Sequence, residues 1–405
     1  MEISHLDNLT PIALVTTAAL LCGLLLIRLR QPAVVGYIVA GIVLGPTGFK
    51  LVSNTDTVQL LAELGVIMLL FLTGMELSLR SFKSIYKTAL GATALQIMIA
   101  LLVFWGLGYY FNWTMQRVVV CAFATALSST AVAIKILEET DDLRTPVGRT
   151  TVSVLVAQDL AVIPMLLIIG AFGDKGATGV ASVIVGLKLL LSIGLLAGIC
   201  WFLSRRDRIT LPLSNWISSR PEIIPLAATA FCFTWATLSG IIGLSTAYGA
   251  FLAGLIIGNS NVRSILHKAA EPIQTILLMV FFLSIGLLID IPYITENWRS
   301  VLIVLSTVTL LKTTVNVAIL HLLGEPWRRA FHSGVVMGQM GEFSFILVAV
   351  GLAANVITTD GYRLMISVIA LSLLISPMWL AIARRLHDVA LKKLGSGFAE
   401  PPEEV

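Results

Sequence analysis

The sequence predicts an all-α, polytopic membrane protein with about 13 transmembrane helices, its N-terminus outside and its C-terminus cytoplasmic. Three observations carry this expectation. The composition is too apolar for water, the apolar runs have bilayer length, and the basic residues fall in alternate loops.

Of 405 residues, 57% are hydrophobic and 12% charged, against about 45–50% and about 25% in ordinary globular chains. The mean hydropathy is +0.93. So little charge cannot coat a globule of 43.6 kDa, which excludes a water-soluble enzyme, a coiled coil and a disordered chain. The net charge of +4 points to no nucleic-acid partner, because in a membrane protein its distribution between loops matters more than its sum. Cys22, Cys121, Cys200 and Cys232 lie in apolar runs without paired spacing, as small buried hydrophobes do. No basic residue precedes the first apolar run, so the N-terminus does not resemble a signal peptide.

A helix needs roughly 20 apolar residues to cross the hydrocarbon core. Breaking the chain at charged or Pro/Gly/Asn-rich clusters gives spans near 9–28, 33–50, 59–79, 88–111, 117–137, 150–172, 178–204, 222–240, 245–260, 270–289, 298–323, 331–352 and 362–383. One set of loops then holds nineteen Lys and Arg, from Arg28 to Lys393, and the opposite set holds five: Lys50, Arg117, Lys175, Arg299 and Arg363. This asymmetry puts the first set, and the C-terminus, in the cytoplasm. Residues 1–393 form the membrane domain and 394–405 a short polar cytoplasmic tail.

The spans repeat. Gly36-Tyr-Ile-Val-Ala-Gly41-Ile-Val-Leu-Gly45 in the second span matches Gly249-Ala-Phe-Leu-Ala-Gly254-Leu-Ile-Ile-Gly258 in the ninth. In the spans that follow, Glu63 and Phe71-Leu-Thr-Gly-Met match Glu271 and Phe282-Leu-Ser-Ile-Gly, at an offset of about 210 residues throughout. The second span runs outward and the ninth inward, so the repeats, about 33–172 and 243–383, are inverted copies. Glycine spacing also serves simple helix packing, but two consecutive helices at one offset indicate a true repeat. Inverted repeats build secondary transporters, whose sites lie near the bilayer midplane at the repeat interface.

Few charges remain at that depth. Asp159 is central in the sixth span, next to Gln158. A charged Asp there costs about 2.5–3.5 kcal/mol on the most lenient scale, so the carboxyl needs a reason to be present. Burial favours its acid form and a bound cation favours its carboxylate, which suits a group exchanging a proton for a metal ion. The Gln158 amide oxygen would be a hard ligand for an alkali cation. A protonated Asp159 in a helix-packing hydrogen bond is the plainer alternative.

Ser128, Ser129 and Thr130 place three hydroxyls half-way through the fifth span, as an unwound segment facing a cavity would. In the twelfth span Gly338, Gln339, Gly341, Glu342 and Ser344 form a second polar interruption at similar depth. Thr130 plus the repeat offset lands on Glu342. Paired interruptions in two halves point to a transport site. Lys312, near the middle of the eleventh span, has three open partners: Asp159, Glu342, or carbonyls freed where the helices break. Lys312, Gln339 and Glu342 are therefore expected as supporting polar groups of the core.

These residues resemble the monovalent cation:proton antiporter-2 family, in its Kef-type potassium/proton branch. The resemblance rests on Gln31-Pro and the Gly36–Pro46 run, Phe71-Leu-Thr-Gly74-Met-Glu76-Leu, Ala126-Leu-Ser-Ser-Thr130-Ala, Gln158-Asp159, Glu271-Pro272 with Phe281-Phe282, and Gly338-Gln339 with Glu342-Phe343. It implies the sodium/proton antiporter fold, with two crossed discontinuous helices, as a homodimer in the cell inner membrane. Core helices near 88–172 and 298–383 would move like an elevator against dimerisation helices near 9–79 and 222–289, with 178–204 as a linker. Asp159 matches the family's ion-binding carboxylate. The Gln-Asp pair is associated with potassium and electroneutral exchange, and two adjacent aspartates with electrogenic sodium exchange. Sodium/proton exchange on the same fold and a potassium efflux channel-like protein are the alternatives, although the Thr-Val-Gly-Tyr-Gly run of a tetrameric potassium filter is absent.

Kef-type proteins usually continue into a nucleotide-binding domain with a Gly-x-Gly-x-x-Gly turn. No such pattern follows Leu394, so no cofactor is expected and regulation by nucleotide or glutathione does not carry over. The partners expected are a monovalent cation, the proton, lipid, a second copy and a separate regulatory subunit.

Overall fold

The computed structural model describes residues 3–29, 31–51, 55–76, 86–173, 220–242 and 244–394, with scattered positions between 187 and 210. The linker expected at 178–204 and the tail after Leu394 lie largely outside the described residues. Cys200 lies outside them too, and Cys22, Cys121 and Cys232 are free thiols.

The described residues are helical, apart from one isolated bridge between Ile209 and Ser260. The first bundle contains α1 (Ile3–Arg28), α2 (Ala33–Leu44), α3 (Thr55–Glu76), and, after the linker region, α8 (Ile224–Ile241), α9 (Thr246–Gly258) and α10 (Arg263–Leu288). The second contains α4 (Tyr86–Phe111), α5 (Met115–Ala126), α6 (Thr130–Glu139), α7 (Pro146–Ala171), α12 (Trp298–Leu322), α13 (Trp327–Val336), α14 (Glu342–Ala353) and α15 (Thr359–Leu394). A short α11 (Ile291–Glu296) leads from one to the other. Extensive helix packing stays within each bundle, and α15 approaches α2 between them. Seven helical segments among the described residues are long and apolar enough to cross a membrane.

The repeat explains the first bundle. A Cβ on Gly41 of α2 would lie 2.1 Å from the Leu283 carbonyl and 2.8 Å from Cα of Gly286 in α10. A Cβ on Gly254 of α9 would lie 1.9 Å from the Phe71 carbonyl and 3.1 Å from Cα of Gly74 in α3. Each glycine-patterned helix thus packs backbone to backbone on the next helix of the opposite repeat. Small residues permit this approach, and dispersion between backbones then holds the pair where lipid supplies no hydrophobic drive.

The helices overrun the apolar stretches read from the sequence. Because α3 starts at Thr55 and α10 at Arg263, Glu63 and Glu271 sit in third turns rather than at helix ends, and both are exposed. The apolar run marks only what lipid covers, while hydrogen bonding continues the helix beyond it. The short α11 escaped the hydropathy reading. Its signal is Asp290, whose carboxylate accepts from the Tyr293 N–H at 3.0 Å as an N-cap before Pro292.

Candidate functional site

Two helices of the second bundle are interrupted near the middle of their length. The first break, 127–129, separates α5 from α6, and the second, 337–341, separates α13 from α14. Thr130 and Glu342 each begin the second half-helix, in the register of the repeat. The breaks cross where the Gly341 N–H donates to the Leu127 carbonyl at 3.2 Å. A Cβ on Gly341 would lie 2.7 Å from the Ser128 carbonyl, so only glycine fits this crossing.

Breaking a helix frees backbone groups that must be satisfied inside a membrane. Lys312 of α12 donates its ammonium to the Thr125 carbonyl at 2.8 Å and to the Leu127 carbonyl. Of its three open partners, the structure thus gives it the freed carbonyls at the C-terminal end of α5, where the helix dipole also favours a cation. Across the crossing, the Ser128 hydroxyl donates to the Met337 carbonyl at 2.9 Å and the Ser344 hydroxyl to the Ala124 carbonyl at 2.6 Å. The Gln339 amide donates to the Ser129 carbonyl at 3.4 Å. Ser129 caps α6, its hydroxyl accepting from the Val132 N–H at 3.2 Å.

Asp159 of α7 lies against this crossing. The Thr130 hydroxyl donates to its carboxylate, at 3.2 Å to Oδ2 and 3.5 Å to Oδ1. Asp159 is 7% exposed and lines a cavity of about 240 Å³ together with Ser129, Thr130, Glu342 and Thr73. That is more than ten times the roughly 10–15 Å³ one water requires. The first bundle contributes Val34, Leu69, Gln274 and Phe282 to the wall, so the cavity runs between the bundles. Glu76, its side chain 64% exposed and bound to His267 at 3.3 Å, also lines it, so the cavity reaches the surface. This mouth lies at the C-terminal end of α3.

The structure gathers Asp159, Ser129, Thr130 and Glu342 on one wall. Ser128, Gln339 and Lys312 stand behind it, in the crossing. Gln158 is also behind it: its Oε1 accepts from the Ser128 N–H at 2.8 Å, and its Nε2 donates to Gln96 at 2.8 Å. A helix directs neighbouring residues about 100° apart, so Gln158 faces α4 and the first break while Asp159 faces the cavity. Two buried amides escaped the reading of the sequence, Gln96 of α4 and Asn316 of α12. The signal was present, a lone amide inside an apolar run, but a search for charge passes over it.

A family model described as sodium/hydrogen exchanger, transmembrane, matches residues 15–384. The chain belongs to the sodium/hydrogen exchanger family. It is a multi-pass membrane transporter of the cation/proton antiporter class, in a family of transporters rather than enzymes. It is 48% identical over 394 residues to "Iron transporter MagA" of Paramagnetospirillum magneticum, covering 96% of this chain and 88% of that protein. It is 28% identical over 368 residues to the glutathione-regulated potassium-efflux system protein KefC of Salmonella arizonae, and 30% over 366 residues to KefC of an Enterobacter species. These matches cover 90% and 89% of this chain, which spans 58% of each KefC. Among solved structures, the sodium proton antiporter MjNhaP1 from Methanocaldococcus jannaschii superposes with a TM-score of 0.70, over 93% of this chain and 98% of that one. At 16% identity this likeness shows the fold: the inverted-repeat antiporter fold with crossed, broken helices.

Proposed function

We propose that this exchanger swaps K⁺ for H⁺, one for one, with Asp159 as the carboxyl that holds either ion. The observation that carries the reading is the Asp159–Thr130 pair on the wall of a cavity roomy enough for several waters, which reaches the surface at the C-terminal end of α3, the end that the loop charges put in the cytoplasm. Thr130 supplies a hydroxyl oxygen beside the carboxylate, and Ser129 lines the same cavity; hydroxyls are hard donors suited to an alkali cation. With either ion bound, the group is neutral and passes apolar surface at lower cost. The empty carboxylate resists the passage, and this difference favours exchange over leak. The KefC relatives are named for potassium efflux, which supports K⁺ as the cation.

The same reading makes the second bundle the mobile one. Its polar site would travel past the apolar residues that α2, α3 and α10 turn toward the cavity, as an elevator within a homodimer built on the first bundle in the inner membrane. Sodium on the same site is the nearest variant. Iron(II) is a second reading, favoured by the printed name of the MagA relative. Against it, the described residues hold no group of three or more His, Cys, Asp or Glu able to cage a metal, a donor set expected for a transition metal.

Proteoliposomes carrying a pH-sensitive dye test all three. K⁺ should collapse an imposed pH gradient more effectively than Na⁺, Li⁺ or Rb⁺, and Asp159→Asn should abolish the response. Full exchange in Asp159→Asn would remove the shared carboxyl. Transport of Fe²⁺ under anaerobic conditions with no alkali response would replace the potassium reading by the iron one.

A further inference from the structure

Behind the wall that carries Asp159, three buried amides join the two helix breaks. The Ser128 N–H, freed by the first break, donates to Gln158 Oε1 at 2.8 Å. Gln158 Nε2 donates to Gln96 Oε1 at 2.8 Å, and Gln96 Nε2 donates to Asn316 Oδ1 at 3.0 Å. Asn316 Nδ2 closes the chain on the Met337 carbonyl, freed by the second break, at 3.0 Å. Gln158, Gln96 and Asn316 are 1%, 3% and 2% exposed, so the links are direct and shielded from bulk solvent.

The ends of this chain decide its direction. A backbone N–H can only donate and a backbone carbonyl can only accept. Between such ends each amide must present its oxygen toward Ser128 and its nitrogen toward Met337. Turning one amide over would set two donors or two acceptors face to face at two junctions. The orientation of Gln158 is thus dictated from Met337, through two other helices.

We propose that Gln96 is a positioning residue for cation binding: through the Gln158–Gln96–Asn316 relay it holds the unwound 127–129 segment so that the Thr130 hydroxyl meets Asp159. The inference rests on Asp159 being the ion-binding carboxyl. Gln96 touches neither the cavity nor the ion. It acts at the hub, where one amide fixes both the Gln158 side, and so the first break, and the Asn316 side, and so the second. Buried polar networks of this kind specify one arrangement when fully satisfied and become costly when one member is lost. Gln158 then serves as the first strut of the relay, its oxygen committed to the backbone and not to the cation.

Exchange kinetics in proteoliposomes separate this role from a general loss of folding. Gln96→Leu leaves the Gln158 donor and the Asn316 acceptor unpaired. It should raise the apparent KM for the cation about tenfold while the maximal rate falls less. Asn316→Leu should act in the same direction, and the double variant should be little worse than either single, because one cut already breaks the chain. Gln96→Glu is the rescue variant. Its protonated carboxyl can accept from Gln158 and donate to Asn316, whereas its carboxylate can only accept.

Wild-type affinity for the cation should rise with pH as the proton leaves Asp159, so Gln96→Glu should approach the wild-type KM at acid pH and fall progressively behind the wild type, measured alongside, at alkaline pH. Lys312 is the titratable group that shares a small cavity with Gln96, Thr125 and Asn316. A folded Gln96→Leu protein with wild-type KM, or a Gln96→Glu profile superposing on wild type, would overturn the relay. The reading of Asp159 fails separately: Asp159→Asn would then exchange normally, whatever Gln96 does.

Discussion

The two bundles are built on opposite principles. The first is held by bare backbone contact: Gly41 against Gly286 and Gly254 against Gly74. Among its described helices, Ser239 is the buried polar residue, with Ser260 in the turn after α9. The second is laced with polar groups, among them Gln96, Gln158, Asp159, Lys312, Asn316 and Gln339, all 7% exposed or less. In lipid a polar group inside a helix bundle is retained where it has work to do, and small residues suffice where the work is only to stand still. The contrast supports the proposal that the first bundle is the scaffold and the second handles the ion.

The comparison breaks most visibly at the glycines. A Cβ on Gly254 would meet the Phe71 carbonyl at 1.9 Å, and backbone cannot swing aside as a side chain can. Gly254→Ala should force α3 and α9 apart and cost about 3 kcal/mol, the upper end of overpacking. It should be read as a fall in the melting temperature in detergent and in folded yield. Gly106→Ala is the control, because nothing lies within 4 Å of its new methyl. That variant should melt at or above the wild-type temperature. Equal melting of the two would mean that the first bundle is not held by these contacts.

Lys312→Met tests the second bundle's own structural element. It strands the Thr125 and Leu127 carbonyls at the break, with no water to satisfy them. A loss of about 2 kcal/mol is expected, smaller than for Gly254→Ala because the Lys312 charge no longer has to be kept out of water. Exchange should fall with it, since the α5 end and the crossing it supports would relax. A Lys312→Met protein as stable as wild type would show that the crossing is held by its other bonds, from Gly341, Ser128 and Ser344.

Much of this was legible in the chain. Asp159 stood out because one carboxyl in a long apolar run has no cheap explanation, and the glycine repeat stood out because its spacing recurs. Thr130 and Glu342 were matched by the offset alone, and both begin a half-helix. What stayed hidden was direction and partnership. Gln158 is adjacent to Asp159 in the chain yet faces another helix, and its partner Gln96 is 62 positions away. Lys312 had three plausible partners because sequence gives depth but not azimuth. Hydropathy also weighs an amide such as Asn316 without its partners, so nothing in a hydropathy reading separates a hub from a bystander.

The finest test is Thr130→Val, which keeps the shape and β-branching of the side chain and removes only the hydroxyl. Thr130 faces the cavity, where water can approach the Asp159 oxygens it leaves, so the melting temperature should hardly move. The lost donor to Asp159, at 3.2 Å, should still be felt by the ion as a roughly fivefold rise in apparent KM, about 1 kcal/mol. The maximal rate should stay near wild type, because the charge that must be neutralised before the site moves is unchanged. At the cavity wall of the second bundle, then, affinity can be altered without altering the fold, because water stands in for a lost contact. In the first it cannot, because a glycine backbone contact has no substitute. A Thr130→Val protein that melts early with unaltered KM would reverse that assignment, making the hydroxyl a strut and leaving the cation to the carboxylate and water.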